Sequence, residues 1–411
     1  FILGHSEGDV VEYAVDDSRA FYIAEGGLER VRGYLTELEL SSPGANPVGT
    51  SFEDNLGAGR YRVEVVGDAS GGSWLDAYNV VSTGVKDGVV RQVKATVVAE
   101  TFAMYQWFIG SVGGGFSWFR TGEHFEGPVH VNGTLGIDGD PWFGGHVRAG
   151  GDITMKVGSN PTFVRGYELH VEQVPLPSRT EVLATLRTQA SGPTGFRPGP
   201  LGSNKAYWEV ELEGDSFTCE GFDKDGNPIP GVPGLMIPLS SFNGAAWFDD
   251  DIRIKGTVDG QLTIGADGNI EIWGDILYAD STPGSGPNPD CDDVIGLVAA
   301  GAADGNVYIA RTPENMNDCE VHGIMMALQN TIEAEEYQHH PLRGDFILYG
   351  GLIARQAIHM AQYRNGFVTS GYVRDYHYDS RMITLPPPFF PFASNFSVVW
   401  WEEVVAPVLE S

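Results

Sequence analysis

Apolar residues alternate with polar ones through residues 249–378. Ile252 and Ile254, Leu262 and Ile264, and Ile270, Ile272 and Ile276 form short runs, each closed by Gly or Asp-Gly. A period of two sends successive side chains to opposite faces of a strand. The breaks at 258–260, 267–269 and 274–275 carry Gly, Asp or Asn, residues that suit turns. The same grammar recurs at Val307 and Ile309, Val321 and Ile324, Phe346 and Leu348, and Leu352 and Ile353. An earlier copy runs through Val129, Val131, Leu135, Ile137, Val147, Ala149 and Ile153. Many short strands with one turn pattern predict a mainly β protein whose body is a β-solenoid (β-helix) with loop insertions. In such a body each rung buries its inward residues on its neighbours. A sandwich has similar strand spacing, and the preference for a coil rests on the repeated turn chemistry.

Residues 9–40 carry the strong helix pattern. Val10, Val11, Ala14, Phe21, Ala24, Leu28, Val31, Leu35 and Leu38 recur at threes and fours between charges. Gly26-Gly27 weakens the centre, and Ser41-Ser42-Pro43-Gly44 predicts the end. Residues 60–65, 78–83 and 89–97 alternate cleanly, with Lys86-Asp87-Gly88 as a hairpin turn, so a small antiparallel sheet follows the helix. This gives three regions: 1–119, helix and small sheet; 120–385, the β-solenoid with an insertion at 175–246; and 386–411, a Pro-rich apolar tail. The tail is expected to cap the coil or to be a strand donated to a neighbour. Ser397 to Val405 is its strand candidate.

Composition narrows the partners. The chain has 411 residues, 42% of them hydrophobic, with 55 Gly and a formal net charge of −30. Such a chain can build a core, and its acidity argues against nucleic acid or an anionic membrane as partner. No apolar run reaches the roughly 20 residues a membrane helix needs.

The segment 16–35, DDSRAFYIAEGGLERVRGYL, resembles the stretch that follows the membrane helix in PilX-type minor pilins and related pilin-like bacterial proteins. Ala20, Phe21, Ala24, Glu25, Gly27, Leu28, Glu29 and Arg30 carry the match. The later segments GTVDGQLTIGADGNIEIWGDILYAD, DVIGLVAAGAADGNVYIA and YHYDSRMITLPPPFFP resemble the glycine-rich β-domains of long proteins with that start. The resemblance implies export, a position outside the cell or on its surface, and a structural role in a pilus-like filament. The partners it implies are further copies of the chain or other pilin-like subunits. The start departs from a type IV pilin: Phe1 is present, position 5 is His5, and the chain turns polar after Leu3. The apolar anchor is missing or lies upstream, so a membrane is reached only through a segment absent from this sequence. The proposed assembly residues are Val10, Val11, Phe21, Leu28, Val31 and Leu35 on the helix, and Phe396, Val398 and Trp400 in the tail.

Other chemistry has weaker signals. Tyr105, Trp107, Phe108 and Trp118, with Phe102, Phe116 and Phe119 around Gly113-Gly114-Gly115, form an aromatic stretch. It reads either as packing at a domain junction or as a platform for a glycan or a surface, the latter making the chain a minor pilin or adhesin. Asp249, Asp250 and Asp251, and Asp290, Asp292 and Asp293, read as solvated turns. Ca2+ is the ion they would take if they bind one, and no other cofactor is expected. Cys291 and Cys319 sit in similar polar loops and are a disulfide candidate in an oxidising compartment, or else unpaired thiols. His339-His340 beside Glu335 and Glu336 lacks a third ligand for zinc. A glycan lyase or hydrolase on the coil would need carboxylates or a base in one groove, and Asp345, Arg355, Asp375, Asp379 and Arg381 are its candidates. GxSxG, HExxH, Walker and dinucleotide motifs are absent from the sequence, so an enzyme is not the favoured reading.

Overall fold

The computed structural model describes residues 2–42, 45–70, 76–111, 117–202, 206–232, 234–339, 341–364 and 366–404. Phe1, Pro43-Gly44, Gly113-Gly114-Gly115, Phe116, His340 and Val405, named above, lie outside them. The protein is mainly β, with an N-terminal helix followed by sheets. It divides into two compact units, one from 1–100 with 394–411 and one from 101–393.

In the first unit, helix α1 (Ile2–Ser41) lies on strands β1 (Ser51–Leu56), β2 (Gly59–Asp68), β3 (Ala77–Lys86) and β4 (Val89–Thr101). The helix starts earlier than its apolar stripe does. A stripe reports only the packed face, and nothing in the polar residues 2–9 is a proline that would stop a helix. The strands form an antiparallel meander. Asp87 and Gly88, at φ 45° and 85°, make the two-residue turn between β3 and β4, as Lys-Asp-Gly predicts. The last strand, Phe392–Val404, completes the sheet beside β4. The tail, expected as a cap or a donated strand, thus pairs with its own chain, because β4 would otherwise leave an open edge.

Small residues set the helix–sheet distance. Ala20, Ala24, Val31 and Leu35 are buried. Buried Ser82 Oγ donates to the Ala24 carbonyl at 2.7 Å. A Cβ on Gly84 would sit 2.1 Å from the Ala20 carbonyl oxygen, and one on Gly27 would sit 2.2 Å from Ser82 Oγ. Gly26-Gly27 therefore weakens the isolated helix but permits its close approach to the sheet.

The second unit is made of parallel ladders. One runs through Ala245–Phe248, Gln261–Ala266, Val294–Ala299, Cys319–Ala327 and Leu342–Ala354. It continues from Leu352 onto Trp107–Ile109, then Val129–Val131, Val147–Ala149 and Tyr167–Leu169. Late residues thus pair with early ones. A second ladder joins Tyr207–Gly214, Asp251–Val258 and Ile270–Tyr278. Two short ladders flank the early strands, one through Ser117–Arg120, Leu135–Asp138 and Ile153–Met155, the other through His124–Phe125, Trp142–Phe143 and Thr162–Phe163. Partners there are often 18 residues apart, as for Val129 and Val147 (147 − 129). Ile252, Ile254, Leu262, Ile264, Ile270, Ile272 and Ile276 are all fully buried, as their alternation predicts.

Residues 171–201 cross these rungs as a strap. Val174 bonds Asn132, Leu176 packs at Gly110, and Arg179 bonds Asp267 and the Ala300 carbonyl. Leu186 packs at Gly265, and Phe196 bridges Ala246. The strap carries a short helix from Arg179, opened by a capping box of Ser178 and Glu181. Residues 207–222, expected inside an insertion, instead form an antiparallel pair whose first strand joins the second ladder.

Gly84→Ala should destabilise the first unit by roughly 1–3 kcal/mol, because its methyl meets backbone that cannot yield. Gly33 has nothing within 4 Å, so Gly33→Ala should stabilise by about 1 kcal/mol through helix propensity. Urea unfolding of both variants checks the contrast, and equal effects would refute the close-approach argument.

Candidate functional site

Each expected site residue has a definite place. On α1, Leu28, Val31 and Leu35 are buried against their own sheet and are not available to a neighbour. Phe21 is half-buried, with its ring 6.2 Å from that of Trp401. Val10 and Val11 are 68% and 63% exposed, and every described side chain from 10 to 15 is exposed. In the last strand Phe396 is buried and Val398 is half-buried, while Trp400 and Trp401 are about half exposed. Arg32 donates to the Phe396 carbonyl at 2.7 Å, and Arg91 pairs with both Asp17 and Glu403. These bonds fix the helix and the last strand to one sheet. Among the described residues, the large exposed apolar side chains of the first unit are Val10, Val11, Tyr13, Val15 and Tyr22 on the helix, Val399, Trp400 and Trp401 on the last strand, and Val48, Leu56 and Val66 elsewhere.

The aromatic stretch is not a platform. Tyr105, Trp107 and Phe108 are buried, because Trp107–Ile109 is a central strand paired on both sides. Phe102, Phe119, Phe125 and Phe143 pack around them edge-on or stacked. Trp118 is half-buried, with Lys156 Nζ 4.9 Å from its ring centre.

The three aspartates diverge. Asp249 takes Arg187 at 2.9 Å and Arg197 at 2.8 Å. Asp250 accepts from the Leu201 amide at 2.8 Å, and Asp251 accepts from the Asn269 amide at 2.7 Å. Among the described residues no group of three acidic, His or Cys side chains is placed to hold a metal ion. Cys291 and Cys319 are free buried thiols, not a disulfide. Cys291 lies 3.6 Å from the Asp293 carboxylate, whereas Cys319 is enclosed in a ladder strand opposite Phe346. Burial pushes the Cys291 thiol up to about 11.

Four of the five candidates for a glycan-cleaving site, all but Asp345, are engaged elsewhere. Arg381 forks onto buried Asp379, His377 pairs with Asp375, and Arg355 donates to the Leu328 carbonyl.

A cleft of about 530 Å3 on the outward side of the second ladder has no counterpart in the sequence pattern. Glu209, Glu211, Glu220, Arg253, Lys255 and Trp273 line it. The Arg253 guanidinium lies between two rings, 3.6 Å from the centre of Tyr207 and 4.1 Å from that of Trp273. Glu271 holds both neighbours, accepting from Arg253 Nε at 2.9 Å and from Trp273 Nε1 at 3.0 Å. Lys255 pairs with Glu314 at 3.0 Å. Desolvation raises the Glu209 pKa, the opposing pull of Arg253 notwithstanding. Arg253 and Glu271 are 18 residues apart and meet only through strand register (Arg253 opposite Glu271), which composition cannot show.

Residues 60–151 match a family described as a domain of unknown function (DUF4900). A search of curated proteins finds no match. Among solved structures, the competence-associated pilin ComZ from Thermus thermophilus aligns at 15% identity and a TM-score of 0.40, over 95% of this chain and 98% of its own. No helix among the described residues is long and apolar enough to cross a membrane.

Asp249→Ala should cost about 2 kcal/mol, since it strands two guanidiniums, while chelation of Ca2+ should leave the wild-type unfolding midpoint unchanged. A midpoint that falls with chelator would overturn the arginine assignment. His130 is buried, stacks on Phe108 at 4.9 Å, and its Nε2 lies 2.8 Å from Asn132 Oδ1. Burial pulls its pKa down to about 4. The unfolded chain takes up that proton near pH 6.5 and the folded chain only near 4, so its stabilising contribution is complete above about 6.5 and is lost as pH falls toward 4. Urea midpoints at pH 7 and pH 5 should show the fall, and His130→Gln should lessen it without abolishing it, since burial also lowers the pKa of His322 and His359; identical wild-type midpoints would refute the neutral buried state.

Proposed function

We propose that the chain is a structural subunit of an extracellular, pilus-like filament, assembling with itself or with other pilin-like subunits. On this reading the second unit is a β-solenoid body and α1 is the assembly element. One observation carries it. Helix α1 has 40 residues, about 60 Å at 1.5 Å per residue, and its described side chains meet the sheet only from Asp16 onward. A helix exposed on all sides over residues 10–15 is marginal in water and gains stability by packing its apolar side chains. Val10, Val11, Tyr13 and Val15 supply such a surface, and Val399, Trp400 and Trp401 supply a second. The resemblance of 16–35 to pilin-like proteins supports the same reading. No catalytic role is assigned: Arg381 is bonded to Asp379, His377 to Asp375, and Arg355 to the Leu328 carbonyl.

A second reading, a surface adhesin present as a single copy, is favoured by the lined cleft on the ladder face rather than by the aromatic stretch.

Sedimentation velocity over a concentration series, with negative-stain electron microscopy at the highest point, tests the filament reading. The expected result is association that Val11→Asp and Trp400→Asp each weaken at least tenfold, about 1.4 kcal/mol. A chain that stays monomeric at every concentration and salt tested would sink it.

A further inference from the structure

The cleft beside Arg253 differs from the rest of the acidic surface in what its side chains lack. Glu209 stands directly opposite Glu220 on one side and Arg253 on the other. Glu211 stands opposite Thr218 and Lys255. Like charges placed directly opposite across a sheet destabilise it. Both cations are already engaged, Arg253 by Glu271 and Lys255 by Glu314. Among the described residues, Glu209, Glu211 and Glu220 accept no hydrogen bond and form no ion pair within the protein. Three carboxylates are thus held around one cavity with their acceptor oxygens open.

The two ends of the cleft are apolar. At one, Trp273 is held by its indole N–H to Glu271 and braced by Arg253, whose guanidinium also lies over the Tyr207 ring. At the other, four strand pairings away across Lys255, Glu211 and Thr218, stand Met236, 68% exposed, and Leu235. A site whose groups are locked before binding loses little entropy on binding. Its volume falls in the roughly 300–1,000 Å3 range of small-molecule sites.

We propose that this cleft binds a hexose oligosaccharide free of anionic groups. The guest must donate several hydrogen bonds to carboxylates, must present an apolar face to Trp273 at one end or Met236 at the other, and must not be negative. A pyranose ring does all three: its hydroxyls donate, its C–H face is apolar, and neutral or amino hexoses lack the charge that three carboxylates repel. A carboxylate offers two oxygens and accepts from neighbouring hydroxyls together. Uronate polymers are excluded by like charge, and nucleic acid is excluded on the same ground. The inference stands whether or not the chain forms filaments, since every residue in it lies in the second unit.

The test is isothermal titration of the full chain with hexamers of glucose, mannose and glucosamine, and with a galacturonate hexamer. At least one of the first three should bind, and the galacturonate should not. Trp273→Ala and Glu211→Gln should each weaken binding at least tenfold, with circular dichroism unchanged for the conservative Glu211→Gln. Trp400→Ala, in the other unit, should leave binding as it was. Failure of all three hexamers, equal binding of galacturonate, or undiminished binding by Glu211→Gln would each overturn the assignment.

Discussion

Everything in the second unit depends on one strand pairing. Leu352–Ala354 bonds in parallel to Trp107–Ile109, and this joins two runs of strands far apart in the chain. A strand left unpaired there would expose a row of N–H and C=O groups at the centre of the ladder. The aromatic cluster of Phe102, Tyr105, Trp107, Phe108, Phe125 and Tyr376 packs at the same place. Gly351 makes room for it: a Cβ there would lie 2.2 Å from the Tyr105 carbonyl oxygen. Hydrogen bonding fixes the register and ring packing excludes water, so the two effects hold one seam. The strap of 171–201 then carries the chain from Asn132 past Gly110 and Ala300 to Ala246, at the far end of the same ladder.

This pairing also marks the limit of what could be read from the sequence. Alternation within a single strand is local, and it located Ile252 to Ile276 and the β2–β4 meander correctly. It cannot say which distant strand comes alongside. The residues Tyr105, Trp107 and Phe108 are equally compatible with a platform and a core, and only their partner at 352–354 decides for the core. The same gap hid Arg253 and Trp273, whose meeting with Glu271 and Tyr207 depends on register. Asp249, Asp250 and Asp251 look like one cluster in the sequence, but three successive residues where a turn enters a strand point to three different partners. On α1 the stripe was legible, whereas the division between the part that packs at home and the part that does not was set by where the sheet begins.

The outward columns of the ladder show how so acidic a chain tolerates in-register stacking. Side chains at equivalent positions run Glu209, Arg253, Glu271, Tyr308, Glu333, His359. Carboxylates in this column are separated by a cation or a ring, which relieves the repulsion that a parallel register would otherwise impose. The exception is at the Glu209 and Glu220 pair, where the column meets an antiparallel strand and the alternation stops. Charge that the fold disperses elsewhere is concentrated there.

The chain enters and leaves the second unit side by side: the Phe102 amide bonds the Pro391 carbonyl at 3.0 Å. The unit is thus an insertion between two strands of the first, β4 and Phe392–Val404. Its two ends are tied whatever number of rungs lies between them. Strands could be added to or removed from the second unit without changing the strand order of the first.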